Sequence, residues 1–450
     1  MPVFGDSPCL KTANNVASKK VFIVSYYWYP FAGVGAYRIS RFVKYLLKSG
    51  WEVVILTTKE ASSGMQDEPD DPILNQCKVY RSKIIEPTGL ISSGNKDSSK
   101  TSNPSIFYQK DKNWKSKLAV WARLNLMIPD AKFTWKWFAV PLGKKIINKE
   151  DPDLILSTSP PPTTNLIAKK LAEWSGLPWV ADFRDPWTNI YYYDDNPQSN
   201  WARSRNKKLE SETLHRADRI TLVNNGFFPE HAEDIAEKST VIPNGYDPDH
   251  IIHNGKSSGK NDVFTIRYFG SLKANQHPAA FIKALQAIDK DQPEVAQNLA
   301  FEFYGSIDPN IKEEISSITN HVETRFTGFI PHDEMMKKVS KSDLLLLTIG
   351  RTKNSKFALS TKVFEYMISG NPVLGIGPVD GAASELVQKT NIGGFFDHED
   401  AKGVQEFIIS LYEAAQKGDV LFTPDQDAVE EYSFKNLTKK LEDIMLTTIQ

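Results

Sequence analysis

Cysteine is almost absent from this chain: two residues, Cys9 and Cys77, among 450. Two such isolated thiols form neither a disulfide framework nor a metal-ligand spacing, and that usage fits a reducing compartment. No apolar run approaches the ~18 residues needed to span a bilayer, and the opening MPVFGDSPCLKTANNVASKK lacks the apolar core of a signal peptide. Excess charge is missing too: 54 basic side chains stand against 55 acidic ones, so no whole-molecule field draws the protein to nucleic acid. HExxH and CxxC elements do not occur, and Gly255-Lys256-Ser257 lacks the glycine five residues earlier that GxxxxGK[ST] requires, which removes support for zinc hydrolysis and P-loop phosphoryl transfer. No histidine precedes His215, so a histidine base from the first half would have to be His215 or His231. These absences predict a cytoplasmic chain with no bound metal, any membrane contact being peripheral.

What is present is a globular composition, 40% hydrophobic and 24% charged, long enough for two or three domains. VFIVS reads as a buried strand, YYWYPFAGVGA as a turn, and Ile39, Phe42, Val43 and Leu46 as the apolar face of a helix closed by Gly50. VVILT follows as a parallel strand, completing one right-handed crossover unit. Residues 86–113 lose periodicity and read as a surface loop. DLILST, a helix at Thr163–Trp174, WVADF and ITLV continue the alternation, and the polar 253–262 reads as a linker. The pattern then restarts with TIRYF, AFEFY, ETRFT, DLLLLTI, PVLGI and GGFF separated by helical stretches. The prediction is an α/β chain of two doubly wound parallel-sheet domains, residues 1–250 and 251–429, facing a cleft beyond the strands' carboxyl ends.

Several residues in that frame could carry chemistry. Gly33 and Gly35 occupy the first strand-to-helix turn, where backbone amides can approach a phosphate. Arg38 stands where a dinucleotide fingerprint wants a third glycine, and no ribose-binding carboxylate ends the second strand, which disfavours NAD. In ALSTKVFEYMISGNPVLGI, Ser360 or Thr361 can N-cap a helix starting near Lys362, and with Lys362 they would make a diphosphate cradle. Glu365 lies one turn further on, where a ribose diol would satisfy it. Gly270, Ser271 and Lys273 form a second strand-end turn suited to the other side of a phosphate. ADFRDPWTN puts Asp182, Arg184, Asp185 and Trp187 after a buried strand, either as a structural Arg–Asp pair or as carboxylates able to take a proton from an acceptor hydroxyl. Residues 107–149 hold nine lysines and one arginine against two aspartates, a net +8, interleaved with Trp114, Trp121, Trp135, Trp137 and Phe138. Basic and aromatic residues so mixed suit an anionic bilayer surface; packed aromatics with solvated lysines are the plainer alternative. No nucleic-acid motif accompanies them.

The order of PFAGVGAYRISRFVKYLLKSGWEVVILT, PDLILSTSPPPTTNLIAKKLAEWSGLPWVADFRDPW, ADRITLV, VIPNGYD, RYFGSLK, FTGFIPHDEM and TKVFEYMISGNPVLGI resembles the GT-B glycosyltransferases. Within them it is similar to the bacterial family 4 (group 1) enzymes that build cell-surface polysaccharides, over about residues 20–445. The resemblance implies two Rossmann-like domains, the first for acceptor and the second for a nucleotide-sugar donor, with a helix at 430–450 packing back on the first. It implies metal-independent, retaining transfer from a UDP- or GDP-sugar, used as substrate with no separate cofactor, to a glycan or lipid-linked hydroxyl. By position, Gly33 and Gly35 would face the donor phosphates, Phe329 and Ile330 the nucleobase, Ser360, Thr361 and Lys362 the diphosphate, and Glu365 the ribose. Two features depart from the family pattern. Phe357 stands where the first of its paired glutamates belongs, and DFRDPW occupies the neighbourhood of its usual first-domain histidine. A same-fold sugar-nucleotide epimerase and a non-catalytic glycan-binding protein are the alternatives.

Overall fold

The computed structural model describes residues 18–30, 34–59, 71–85, 114–190, 193, 196, 198–227, 233–250, 263–318 and 320–450. The expected loop at 86–113, the linker at 253–262 and Gly33 lie outside the described residues.

In the first lobe the elements run β1 (Lys20–Ser25), α1 (Val34–Lys48), β2 (Glu52–Thr58), β3 (Lys78–Ser82), α2 (Trp114–Asn125), α3 (Trp135–Glu150) and β4 (Leu154–Ser159). They continue with α4 (Pro162–Ser175), β5 (Trp179–Phe183), α5 (Asn200–Arg216), β6 (Arg219–Leu222) and β7 (Ser239–Val241). The second lobe opens with β8 (Phe264–Phe269), α6 (Ala279–Asp291), α7 (Pro293–Ala296), β9 (Leu299–Tyr304), α8 (Pro309–Ser316), β10 (Glu323–Thr327), α9 (His332–Ser340) and β11 (Leu344–Thr348). It closes with α10 (Lys362–Met367), β12 (Val373–Ile376), α11 (Ala382–Lys389), β13 (Gly393–Phe396), α12 (Ala401–Lys417), α13 (Gln426–Glu430) and α14 (Phe434–Ile449).

The strands order as β3-β2-β1-β4-β5-β6-β7 and β10-β9-β8-β11-β12-β13, every pair parallel. Two Rossmann-like sheets are therefore present, and in each the order reverses beside the first strand, at β1/β4 and β8/β11. Such a reversal leaves a crevice at the carboxyl ends, because crossovers on its two sides go to opposite faces.

Strand period explains how each sheet is covered on both faces. Phe22, Val24, Val54 and Leu56 point to the side of Trp135, Ala139 and Leu171 from α3 and α4. Their neighbours Val21, Ile23, Val53 and Ile55 point to the other, where Ile39, Phe42 and Leu46 of α1 lie. The last helix belongs to that second layer. Phe434, Leu437, Leu441 and Met445 are buried in the cluster with α1, each worth roughly 1.5–3 kcal/mol of burial.

Two chain segments cross between the lobes side by side. Tyr246 N–H donates to Tyr432 O at 3.1 Å and Phe434 N–H to Tyr246 O at 2.8 Å. A Cβ at Gly245 would lie 2.1 Å from the Tyr432 carbonyl, so only glycine permits this approach.

Candidate active site

Helix α1 presents Arg38, Arg41, Lys44 and Lys48 on one face, towards the acids that surround the interlobe crossing. Arg41 pairs with Asp247 at 3.0 Å, and Lys44 reaches Asp247, Asp249 and Asp71 at 2.9, 2.8 and 3.0 Å. Burial alone would lower the Lys44 pKa; the bonds to Asp249, Asp247 and Asp71 outweigh it and lift the group to about 12. Tyr45 Oη donates to the other oxygen of Asp247 at 2.7 Å. The IPNGYD segment is thus the anchored strap between the lobes.

Arg38 fills the place of a third fingerprint glycine because it serves the same strap. Its guanidinium donates to the Ile242 and Pro243 carbonyls at 2.8 and 2.7 Å and to Asp182 at 2.9 and 3.3 Å. Thr158 and Thr221 hydroxyls donate to the two Asp182 oxygens at 2.7 and 2.8 Å. Burial would raise the Asp182 pKa, but Arg38 and these hydroxyls hold it below the usual value. Both oxygens are occupied, so the geometry fits the structural reading of this carboxylate, with Arg38 rather than Arg184 as its partner.

Arg184 turns elsewhere. It donates to the carbonyls of Ser159 at 3.1 Å, Pro160 at 2.9 Å and Gly35. Gly35, expected in the turn before the helix, lies inside the first turn of α1, and that helix start is thereby tied to the end of β4. A Cβ at Gly35 would meet the Tyr27 ring at 2.6 Å, which explains this glycine by packing. Asp185 is exposed at the rim of the same turn. The protein crowded around its carboxyl nevertheless raises its pKa by desolvation, with Arg184 acting the other way. Trp187 is core, its indole N–H donating to Asn206 at 3.2 Å.

In the second lobe, Gly270 follows β8 with φ of +106°, and a Cβ there would sit 2.7 Å from Lys362 Cε. Only glycine both adopts that backbone and leaves room for the lysine. Lys362 Nζ donates to Tyr268 Oη at 2.7 Å and lies 4.1 Å from the centre of its ring. Burial lowers the Lys362 pKa to about 8, with Glu365 pulling the other way. The expected capping differs in detail. Thr361 holds the N-cap position with helical backbone and no side-chain capping bond, and Ser360 is one residue earlier, its carbonyl accepting from Val363 N–H at 3.2 Å. A backbone that is already helical at the cap turns the threonine hydroxyl away from the first amides. Ser271 and Lys273 are exposed on the neighbouring turn, Ser271 Oγ accepting from Ser306 Oγ at 2.9 Å.

Glu365 has a partner that sequence reasoning missed: His332 Nε2 lies 3.2 Å away, and that bond raises the histidine pKa. Tyr37 and Arg41 of α1 lie within electrostatic reach of this pair, so it faces the first lobe. Phe329 is 74% exposed after β10, with Ile330 half-buried beside it. Phe357 packs on Gly226 of the first lobe, where a Cβ would meet its ring at 2.2 Å, and Asn354 donates to Asn189 O at 2.9 Å. The carboxylate missing at 357 is therefore replaced by an interlobe contact. The second-lobe candidates Gly270, Ser271, Lys273, Lys362 and Glu365 stand on the β8 turn and α10, while Asp185 and Gly35 share the β1 and β5 ends of the first lobe. No cluster able to hold a metal ion occurs among the described residues.

Residues 107–250 match the model of the family described as Glycosyltransferase Family 4. No curated protein matches the sequence. Solved structures share the fold across almost the whole chain. Sucrose-phosphate synthase from Thermosynechococcus elongatus is 13% identical, with a TM-score of 0.59 over 95% of this chain and 98% of that one. Anabaena HepE, solved with UDP and glucose, is 14% identical with a TM-score of 0.52 over 95% and 100%. An E. coli trehalose-6-phosphate protein bound with UDP-2-fluoro glucose is 12% identical, with a TM-score of 0.57 over 95% and 99%. The chain is thus similar to the Glycosyltransferase Family 4 model over residues 107–250, and its two parallel sheets have the GT-B fold of these solved structures.

Proposed function

We propose that the protein moves a sugar from a nucleoside diphosphate, UDP or GDP, to a hydroxyl of a glycan or lipid-linked acceptor, with retention and without a metal, in cell-surface polysaccharide synthesis. The observation that carries this reading is Lys362, half-desolvated over Tyr268 and held against a positive-φ Gly270 at the carboxyl end of β8. Bond cleavage builds negative charge on the diphosphate, and a preplaced ammonium in a low-dielectric site lowers that barrier. Lys273 and the amides after Ser360 and Thr361 add to the cradle, and Ser271 borders it. Glu365, oriented by His332, takes the ribose diol, and exposed Phe329 with Ile330 meets the base. On the acceptor side Asp185, its pKa raised, receives the hydroxyl proton; Arg184 positions Gly35 at the start of α1, and Asp182 with Arg38 positions the strap. Lobe closure excludes water and so protects the donor from hydrolysis.

A thermal-shift series with UDP, GDP and ADP tests the donor. Binding at a hundredfold excess over Kd stabilises a protein by about 2.7 kcal/mol, and no shift with any of the three would end the nucleotide reading.

The basic aromatic stretch supports work at the inner face of a membrane. No helix among the described residues is long and apolar enough to cross one. On α2, however, Trp114, Leu118 and Trp121 recur at helical spacing and are 69%, 56% and 50% exposed, and Trp137 and Trp201 are exposed on α3 and α5. Aromatic rings of that kind sit at headgroup level while each nearby cation adds about 1 kcal/mol towards anionic lipid. Flotation with phosphatidylglycerol vesicles should carry the wild-type chain upward and leave a Trp114→Ser, Trp121→Ser chain behind; equal flotation of both rules the helix out.

A further inference from the structure

Tyr268, the second-last residue of β8, is fully buried, and its ring stacks on Phe303 of β9 with centroids 5.2 Å apart and planes 10° from parallel. Its hydroxyl makes two directed contacts. It donates to the Ser271 carbonyl at 3.0 Å and accepts from Lys362 Nζ at 2.7 Å. A phenol carries one proton. With that proton committed to Ser271, the oxygen offers the lysine only lone pairs, so the order of donation is fixed from Lys362 to Tyr268 to Ser271.

The turn that receives this chain of bonds is itself pinned. Gly270 N–H donates to Tyr304 O at 2.7 Å, and a Cβ at Gly305 would lie 2.1 Å from the Gly270 carbonyl oxygen. A Cβ at Gly270 would in turn meet Lys362 Nζ at 3.0 Å, so the turn backbone lies against the tip of the lysine. Tyr268 Oη is the one hydrogen-bond acceptor of Lys362 among the described residues. An ammonium has three N–H donors, and a single neutral acceptor leaves two of them for a ligand.

We propose that Tyr268 is the positioning residue of the diphosphate site: its hydroxyl holds the Lys362 ammonium against the β8 turn, with two N–H groups left for the diphosphate, and itself touches no substrate atom. The proposal rests on the cradle reading of Lys362. The other titratable group that reaches the lysine is Glu365 of its own helix, which carries His332 of α9. Burial pushes the Tyr268 phenol up to about 12 and raises neighbouring Tyr366 further, so both stay protonated near neutral pH.

Calorimetry of the full chain at pH 6 and pH 8 tests it, with UDP or GDP as the thermal-shift series selects, on wild type, Tyr268→Phe, Lys362→Met and the double variant. Losing the acceptor disfavours the ammonium, whose pKa in the wild type is about 8. If the variant's value lies about one unit lower, the charged fraction at pH 8 falls from about a half to about a tenth. Tyr268→Phe should therefore bind about fivefold more weakly than wild type at pH 8 and within about twofold of it at pH 6. Both proteins keep the His332–Glu365 pair, so its titration cancels in that ratio. Phenylalanine also keeps the ring on Phe303, and comparing two pH values separates lost charge from general damage to the fold. In the Lys362→Met background the same change should make less than about a twofold difference at either pH. Equal weakening at both pH values, unchanged affinity at pH 8, or a loss that persists without the lysine would each overturn the proposal. Wild-type affinity in Lys362→Met would instead remove the cradle reading beneath it.

Discussion

Lys362 makes a pH prediction that separates a diphosphate cradle from an ordinary buried lysine. In the free protein its pKa is lowered from 10.5 to about 8, because burial disfavours the ammonium more than Glu365 supports it. With that pKa the group is about 90% charged at pH 7 and about 10% charged at pH 9. A diphosphate bound beside it favours the charged form and raises the pKa, so binding above pH 8 must take up a proton. Nucleotide affinity should therefore be flat below pH 7.5 and fall about tenfold between pH 7 and pH 9, about 1.4 kcal/mol. The same depression implies that the unliganded fold gains stability as pH rises from about 8 towards 10.5, since there the unfolded chain holds the extra proton. The assay is titration calorimetry with the nucleotide that the thermal-shift series selects, repeated on Lys362→Arg, whose guanidinium stays charged throughout. The arginine variant should lose the pH dependence whatever its absolute affinity. An equally steep fall in Lys362→Arg, or a flat profile in the wild type, would refute the reasoning.

Asp182→Ala strands the Arg38 guanidinium in the sheet and should cost about 3–5 kcal/mol in denaturant unfolding; full stability with lost turnover would instead make Asp182 a participant in the chemistry. Asp185→Asn should depress kcat at least tenfold with little change in nucleotide affinity, and calorimetry showing equal loss of both would move this residue to a binding role. Glu365→Gln removes the bond that raises the His332 pKa, so the histidine resonance should titrate closer to 6.5 and nucleotide affinity should drop. An unmoved His332 titration would mean that the pair does not form in solution.

The strands were the most legible part of the chain, since parallel strands covered on both faces read as unbroken apolar runs. VFIVS, VVILT, DLILST and the six runs of the second half all became strands. Shorter or more polar elements were hidden: KVYRS of β3 and the three-residue β7 lie at one edge or the other of the first sheet, where half-burial leaves little apolar signal. The site was legible as a set of turns and not as a set of partnerships. Asp182 stood out by its position after WVADF, but its partner Arg38 is 144 residues away and looked only like a missing glycine. His332 and Glu365 are likewise joined by folding alone. Phe357 read as a lost carboxylate, and the reason for an aromatic ring there became visible only with Gly226 beneath it. Alternating apolar runs and strand-end glycines, which are local consequences of backbone period and steric limits, determined the two-sheet architecture from sequence. Which charges neutralise one another and which are left facing the gap depended on distances between remote segments, and only the tertiary structure decided those.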